Sequence, residues 1–528
     1  MGGPPLSWVT WSVAVLPVAT LFALVVSGRV KTPQAAAVVA ILTAGLAATV
    51  FGAGPGVLAV GAGKGLWLGF WILLVVWPAL LMYRLAADAG IERIGQVLQR
   101  LLPRRSDSLL ALAWVLPSFI QGVAGFGTPI AVAAPLLVAL GYPVRAALIY
   151  TLIGYHWSVT FGSMGSSFYM ASLTAGLTGA DQDQFALRAA LMLAINCLIA
   201  GALVLLVEGG RTRLREGLTS VLVVGAAMGA TLIGVAVVVP ALASLAAGTA
   251  GFAALLLLGL AGRRQAAVAD DASGPGKAAF DRGTVGLISP YLYLLATALP
   301  VLAIPASRAW AESVLVLAPA FPRTATEESW VNPAVADYTP LAVGVHPGTY
   351  LLIACLLGYV TYRSAGLLDA GRWRPVVTGW ARGLPKASAP ILLLAVVATL
   401  LTDTGMIHTL ADGVAAVAGG AYPSLTALVG AAGSFMTGST TASNALLASF
   451  QQEVATLLGI EPAILLAAQT AGGNVGNAVA PVVILVGLSA VGEADELAPT
   501  LRGTLPAIAA LVAVVTAVTW MMIALAGA

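Results

Sequence analysis

The chain reads QGVAGFGTP from Gln121 to Pro129 and TGSTTASN from Thr437 to Asn444, each inside a long apolar region. Glycine permits unusual backbone dihedrals and proline ends a helical hydrogen-bond ladder, so both stretches predict a broken helix. Non-helical backbone inside a bilayer is tolerated only where it is buried in protein or lines a water-filled cavity. Both breaks are therefore candidates for a site in the interior of a membrane protein.

Composition supports the membrane environment. Of 528 residues, 59% are apolar and 9% are charged, against about 25% charged residues in an ordinary soluble domain. The mean hydropathy is +0.96. These values exclude a soluble enzyme and predict an all-α polytopic membrane protein with 12–14 transmembrane segments. The net charge of +3 is spread over loops, so no nucleic-acid partner is expected.

Basic residues predict the orientation in a cell inner (plasma) membrane. Clusters of Lys and Arg follow the first, third and later apolar segments, and the positive-inside rule assigns them to the cytoplasm. These clusters are Arg29 and Lys31, residues 84–105, residues 211–215, residues 263–282 and residues 363–386. The N-terminus and the acidic stretch 308–346 are then expected outside, and the loop 263–283 inside.

A weak internal repeat relates two parts of the chain at an offset of about 315 residues. LAADAGI (85–91) matches LLTDTGM (400–406), and SFIQG (118–122) matches SFMTG (434–438). Chance similarity between Ala-rich segments is the alternative. Because the basic clusters give the copies opposite orientations, we interpret them as an inverted repeat, which is typical of secondary carriers.

The repeat predicts five segments. They are N-terminal helices (1–65), repeat 1 with a broken-helix core (66–180), connecting helices (181–346), repeat 2 with a broken-helix core (347–493) and a C-terminal helix (494–528).

Free backbone N–H groups at the start of a half-helix, with hydroxyls beside them, suit a carboxylate. Close helix packing by small residues is the alternative interpretation. The candidate substrate-binding residues are Gln121, Gly125, Phe126, Gly127, Thr128, Ser439, Thr440, Thr441, Ser443, Asn444, Gln469, Asn474 and Asn477.

Ionisable residues add one candidate. His156 is the candidate coupling-proton carrier, with a structural histidine as the alternative. Asp88 and Asp403 are interpreted as helix caps. The three histidines lack metal-ligand spacing, so neither a metal nor a cofactor is expected.

Four motifs resemble the lactate permease family, bacterial carriers of lactate and glycolate. They span 118–143, 159–165, 435–446 and 467–481, and the similarity extends over most of the chain. The resemblance implies a scaffold domain and a mobile transport domain with re-entrant hairpins, moving as an elevator. In the family pattern an acidic residue is common at the position of Gln121, an acidic or amide residue at Thr440 and a lysine at Asn477, and all three are neutral here.

Together these features predict an importer of a small hydroxy-monocarboxylate, L-lactate, D-lactate or glycolate, by proton symport. The alternatives are another carboxylate or a sulfonate, sodium coupling, and an anion channel. A membrane enzyme would need a convergent acid, base or metal set, which the core segments lack. The expected partners are the carboxylate, the coupling ion and membrane lipid, and the kinship allows a homodimer.

Overall fold

The computed structural model describes residues 6–27, 29–102, 104–125, 127–269, 282–493 and 495–526. Helices dominate these residues. In chain order they are α1 (Trp8–Val26), α2 (Thr32–Val50), α3 (Pro55–Asp88), α4 (Arg93–Leu101), α5 (Arg105–Leu110), α6 (Leu116–Val123), α7 (Thr128–Ala139), α8 (Val144–Tyr155), α9 (Gly162–Thr174), α10 (Gly179–Ala236), α11 (Ala243–Ala269), α12 (Arg282–Ala303), α13 (Pro305–Glu312), α14 (Pro347–Ser364), α15 (Trp373–Asp403), α16 (Met406–Ala418), α17 (Pro423–Thr437), α18 (Thr440–Leu458), α19 (Pro462–Asn477), α20 (Pro481–Val491) and α21 (Leu497–Ala526).

The all-helical membrane class predicted from composition is confirmed. Within the described residues, ten helical segments are long and apolar enough to cross a bilayer. The longest, α10, has 58 residues and contains non-helical dihedrals at Gly209 and Gly210, so it comprises two spans joined at a kink. The arginines at 211, 213 and 215 follow that kink directly. The total of 12–14 segments stays a prediction, because the broken helices are individually too short to be counted by length.

Two helical hairpins form the core around the sequence breaks. The first consists of α6 and α7, and the second of α17 and α18. The first hairpin packs through α7 against α20, while the second packs through α18 against α9. Each hairpin therefore contacts a helix, α20 or α9, that lies in the other predicted repeat. This arrangement brings the two hairpin tips towards one place.

Among the described helices, α3 and α15 make the most extensive contact with each other, and this contact contains a buried ion pair. Lys64 Nζ donates to the Asp403 carboxylate at 2.9 and 3.1 Å, and both side chains are less than a tenth exposed. Asp403 ends α15 and was expected to cap the helix that follows. That expectation is wrong, because the N-cap of α16 is Gly405 and the Asp403 carboxylate bonds to Lys64.

A small irregular segment covers this ion pair. It contains the strand pairs β1 (Val316–Leu317) with β4 (Leu341–Ala342) and β2 (Thr324–Ala325) with β3 (Val331–Asn332). Asn332 Nδ2 donates to the Asp403 backbone oxygen at 2.7 Å, and Lys64 Nζ lies 5.7 Å from the Tyr338 ring centroid. Burial and the nearby Asp403 charge raise the pKa of Tyr338, so the ring faces Lys64 as a neutral phenol.

Two other features predicted from the sequence, the loop 263–283 and the segment boundaries, can be compared with the structure only in part. Of the predicted cytoplasmic loop 263–283, residues 270–281 lie outside the described residues, while 263–269 end α11 and Arg282 begins α12. The predicted boundary after residue 65 falls inside α3, and the one after residue 180 falls at the start of α10. The division into five segments stays a prediction.

Candidate functional site

A small cavity lies where the tips of the two hairpins meet. Its lining consists mostly of short polar side chains and glycines from α6, the tips of both hairpins, the start of α9 and the end of α19. The lining residues are Gln121, Gly127, Val159, Ser163, Ser166, Ser167, Gly438, Ser439, Thr440, Thr441 and Asn477. Six of the thirteen predicted substrate residues are in this set. The three neutral positions, Gln121, Thr440 and Asn477, are all among them.

Two helices begin at this cavity. Ser439 is the N-cap of α18, and its hydroxyl accepts a hydrogen bond from the Ala442 N–H at 3.3 Å. The chain reverses into that helix at Gly438, whose φ of 65° requires glycine or another residue that tolerates a left-handed backbone. At the other tip, Gly127 has a φ of 83° and precedes the first residue of α7, Thr128. Helix N-termini carry free N–H groups and partial positive charge, so this arrangement suits an anion.

Two buried atoms of the lining have no hydrogen-bond partner among the described residues. They are the Thr440 hydroxyl oxygen and the Asn477 Oδ1. Thr440 is 1% exposed and Asn477 is 8% exposed. A buried polar group without a partner costs about 1–3 kcal/mol. Both groups therefore gain if a polar ligand occupies the cavity, and the asparagine amide can present either its oxygen or its NH₂ group.

Three other predicted residues lie beside the cavity, in a hydrogen-bond network whose two parts are joined by the 3.0 Å contact between the Thr160 and Thr470 hydroxyls. Gln469 Nε2 donates to Asn444 Oδ1 at 2.9 Å, and Asn444 Nδ2 donates to the Ser167 carbonyl at 2.8 Å and to Thr470 Oγ1 at 2.9 Å. The Thr160 hydroxyl donates to Asn474 Oδ1 at 3.0 Å. These bonds connect α18, α19 and the segment before α9.

The remaining predicted residues are close to the tips. Gly125 lies against Gln121 and Ser163, Thr128 is buried at the start of α7, and the Ser443 hydroxyl donates to the Gly430 carbonyl at 3.4 Å. Phe126 lies outside the described residues.

His156 does not line the cavity. It lies in the break between α8 and α9, is 1% exposed, and its Nδ1 contacts the Ile153 carbonyl at 2.7 Å. Its Nε2 is buried without a partner among the described residues. The next residue, Trp157, accepts a hydrogen bond through its carbonyl from Asn474 Nδ2 at 3.3 Å. The His156 turn is thus connected to the network beside the cavity.

The serines of α9 were not predicted. Ser163 and Met164 have φ values of 47° and 52°, and Gly165 continues the left-handed turn with 74°. A left-handed conformation costs roughly 1–2 kcal/mol for each residue with a side chain. Ser167 Oγ lies 2.8 Å and Ser166 Oγ 3.4 Å from Thr441 Oγ1, which links this turn to the start of α18. The motif VTFGSMG contained the signal, since Gly and Ser recur there, but not the handedness of the turn.

Among the described residues that line the cavity, none has a charged or titratable side chain. In the described part of the chain, no three His, Cys, Asp or Glu residues come together in a way that could hold a metal ion. The site can therefore bind an anion through N–H groups, hydroxyls and amides.

Comparison with known proteins places the chain in a family. Residues 11–526 match the family described as L-lactate permease. The L-lactate permease of Halalkalibacterium halodurans is 28% identical over 518 residues, covering 93% of each chain. The glycolate permease GlcA of Escherichia coli is 26% identical and covers 96% of this chain and 93% of its own.

Among solved structures, the YdaH transporter of Alcanivorax borkumensis matches with 16% identity and a TM-score of 0.47, covering 88% of this chain and 87% of its own. The relatives identified by sequence are named as permeases, which agrees with a transporter and not an enzyme. From the family match over nearly its whole length, the chain belongs to the L-lactate permease family of membrane transporters.

Proposed function

We propose that this protein imports a small hydroxy-monocarboxylate, L-lactate or glycolate, by proton symport and elevator-type alternating access. The relatives' names supply the substrate class. The observation that carries the proposal is the cavity at the start of α7 and α18, where the Thr440 hydroxyl and the Asn477 amide oxygen are buried without partners among the described residues. The carboxylate is proposed to bind the first turn of α18, with Asn477 beside it.

The size of the cavity supports a moving gate. Its free volume is about 20 Å³, which is room for about one water molecule. A lactate ion is larger than one water molecule, so we expect the tips to separate when it enters. Because each tip is the end of a two-helix hairpin, movement of one hairpin opens the cavity from one side. If the two hairpins move in turn, the cavity opens first to one side of the membrane and then to the other, as alternating access requires.

The coupling proton needs a carrier outside the lining, because no titratable group lines the described cavity. We propose His156 for this role. Its buried Nε2 is free to accept a proton, and the hydrogen bond from Asn474 to Trp157 connects its turn to the network that includes Asn444 on α18. Symport with a proton makes lactate transfer electrically neutral, which removes a cost of ~2.3 kcal/mol per 100 mV for an anion entering against an inside-negative potential.

Uptake of labelled L-lactate into proteoliposomes tests the proposal. With an inward proton gradient and without sodium, we expect saturable uptake that the gradient stimulates. Asn477→Ala should raise the KM at least tenfold, because it removes an amide from the binding site. His156→Gln should retain exchange of lactate across the membrane but lose stimulation by the gradient. His346→Gln is the matched control, since His346 is also buried but lies at the start of α14.

Three results would contradict parts of the proposal. Uptake that requires sodium would show that sodium, and not the proton, is the coupling ion. Uptake of a sulfonate or of another carboxylate, with no uptake of lactate or glycolate, would change the substrate. A flux that does not saturate and leaves counterflow absent would indicate an anion channel.

A further inference from the structure

In the left-handed turn of α9, one serine hydroxyl makes no hydrogen bond with the described residues. Ser166 and Ser167 contact Thr441, and Ser172, one turn further along, donates to the Phe168 carbonyl at 3.0 Å. In contrast, the Ser163 hydroxyl has no hydrogen-bond partner among the described residues, although Ser163 is 4% exposed and lines the cavity.

The Gln121 amide, like the Ser163 hydroxyl, lines the cavity without a hydrogen-bond partner in the described structure. Gln121 is 4% exposed, lines the cavity and makes no side-chain hydrogen bond with the described residues. Its side chain fits beside Gly162, where an added Cβ would lie 2.8 Å from Gln121 Nε2. Two unpaired polar side chains, one from each of two helices, therefore line one small cavity.

Gly125 separates these two groups. A Cβ built on Gly125 would lie within 3.0 Å of both Ser163 Oγ and Gln121 Nε2, so the two polar atoms are no more than about 6 Å apart. One oxygen atom that makes two hydrogen bonds of about 2.8 Å can bridge two atoms at separations up to about 5.6 Å. A side chain at position 125 would fill this space, whereas glycine leaves it open.

We propose that Ser163 and Gln121, with Gly125 between them, form a subsite for the 2-hydroxyl group of a hydroxy acid. This inference rests on the proposed function, and it adds the selection of 2-hydroxy acids over plain monocarboxylates. A hydroxyl group donates and accepts, which matches a serine hydroxyl and an amide. A monocarboxylate without the hydroxyl offers neither group this partner, and sites built to bond a hydroxyl reject such analogues strongly.

Binding of L-lactate and of propionate to the purified full-length carrier tests the subsite. The two ligands differ by the hydroxyl group alone. We expect wild type to bind lactate at least tenfold more tightly than propionate. Ser163→Gly should reduce that ratio about tenfold, almost entirely through weaker lactate binding. The same variant should unfold at an equal or higher temperature, because glycine adopts the left-handed backbone of position 163 without strain.

Ser172→Ala is the matched control, because it removes a buried hydroxyl from the same helix at a position that does not line the cavity. It should leave the ratio unchanged. Gly125→Ala should weaken the binding of lactate more than the binding of propionate.

Two outcomes separate the subsite from the function. A wild-type carrier that binds both acids equally, or a Ser163→Gly variant that keeps the full ratio, would overturn the subsite and leave monocarboxylate transport standing. A wild-type carrier that binds neither acid would overturn both.

Discussion

At the scale of single residues, hydrogen bonding divides the predicted site into two groups. The side chains of Asn444, Gln469 and Asn474 make hydrogen bonds with other residues of the protein, so most of their polar atoms have partners. Thr440 and Asn477 retain buried atoms without partners in the described structure. Sequence reasoning could not separate these groups, since both consist of amides and hydroxyls next to glycine. The partners come from segments about 300 residues away, as in the contact between Thr160 and Asn474.

Thr440→Val tests this division, because valine keeps the shape of threonine and removes its hydroxyl. The Thr440 oxygen has no partner to lose, so the free energy of unfolding should stay the same or rise by about 1 kcal/mol. Lactate affinity should fall about tenfold. Thermal unfolding in detergent and ligand binding measure the two effects.

The matched control is Thr470→Val, whose hydroxyl contacts Thr160 and accepts from Asn444. It should destabilise the protein by about 1–3 kcal/mol, because it leaves buried polar partners unsatisfied. Equal destabilisation by the two variants would show that Thr440 is a structural residue.

Lys64 is the residue that sequence reasoning missed most clearly. A single lysine near the start of a long apolar helix gave no pattern, and its partner Asp403 is 339 residues away. Removing one member of a buried ion pair typically costs about 3–5 kcal/mol, because the other charge stays buried. Lys64→Met should therefore destabilise the protein by that amount, measured by denaturant unfolding in detergent. Adding Asp403→Leu should recover most of the loss, and a double variant with additive losses would contradict the coupling.

At the scale of elements, glycine and proline explain which features could be predicted. The tips at Gly127 and Gly438 both need a positive φ, and both were located from sequence. At the start of α9, where the sequence shows only the motif 159–165, Ser163 and Met164 adopt left-handed dihedrals without being glycine. Tertiary packing imposes those dihedrals, so residue preference alone could not identify the serines of the cavity.

The second hairpin is held at its far end by His408 on α16. His408 Nδ1 lies 2.5 Å from Glu453 on α18, and Nε2 lies 3.3 Å from Asp412 on its own helix. Glu453 is 13 residues beyond Thr440, so this contact fixes the helix that begins at the cavity. Glu453→Ala should weaken the hairpin locally by about 1 kcal/mol. Amide hydrogen exchange near the end of α18 should then be about fivefold faster.

Glu312→Ala is the control for that comparison. Glu312 pairs with Arg308 within one exposed helical turn, and such pairs contribute little. Its exchange pattern should match wild type in α17 and α18. Unchanged exchange in Glu453→Ala would show that His408 does not hold the hairpin.

At the scale of the whole molecule, two ion pairs each join a residue of one predicted repeat to the segment that follows the other repeat. Arg145, at the start of α8, contacts Glu496 at 2.7 Å, and Arg188 on α10 contacts Glu461 at 2.9 Å just before α19. Basic residues assign the first pair to the cytoplasmic side and the second to the outside. The Arg145 hydrogen bond lowers the pKa of Glu496, so that pair is ionised at neutral pH.

Further contacts agree with this assignment. The stretch 308–346, expected outside, donates from Glu327 N to the Gly52 carbonyl and accepts through the Thr339 carbonyl from Trp67 Nε1. Gly52 lies between α2 and α3, at an end that the basic clusters also assign to the outside. The stretch 308–346 and Gly52, which the basic clusters assign to the same side, thus lie together, and the sidedness itself stays a prediction.

The absolute orientation can be measured with single cysteines. The native Cys197 and Cys355 are 0% and 2% exposed, so wild type should resist a membrane-impermeant maleimide. In intact cells, Glu461→Cys should be labelled from outside, whereas Glu496→Cys should be labelled only after the membrane is opened. Loss of either surface ion pair costs at most about 1 kcal/mol, so both variants should fold. Labelling of both positions from the same side would contradict the inverted repeat, because residues just before α19 and α21 would then share one face. Labelling of Glu496→Cys alone would keep the repeat and reverse the protein in the membrane, placing the N-terminus inside.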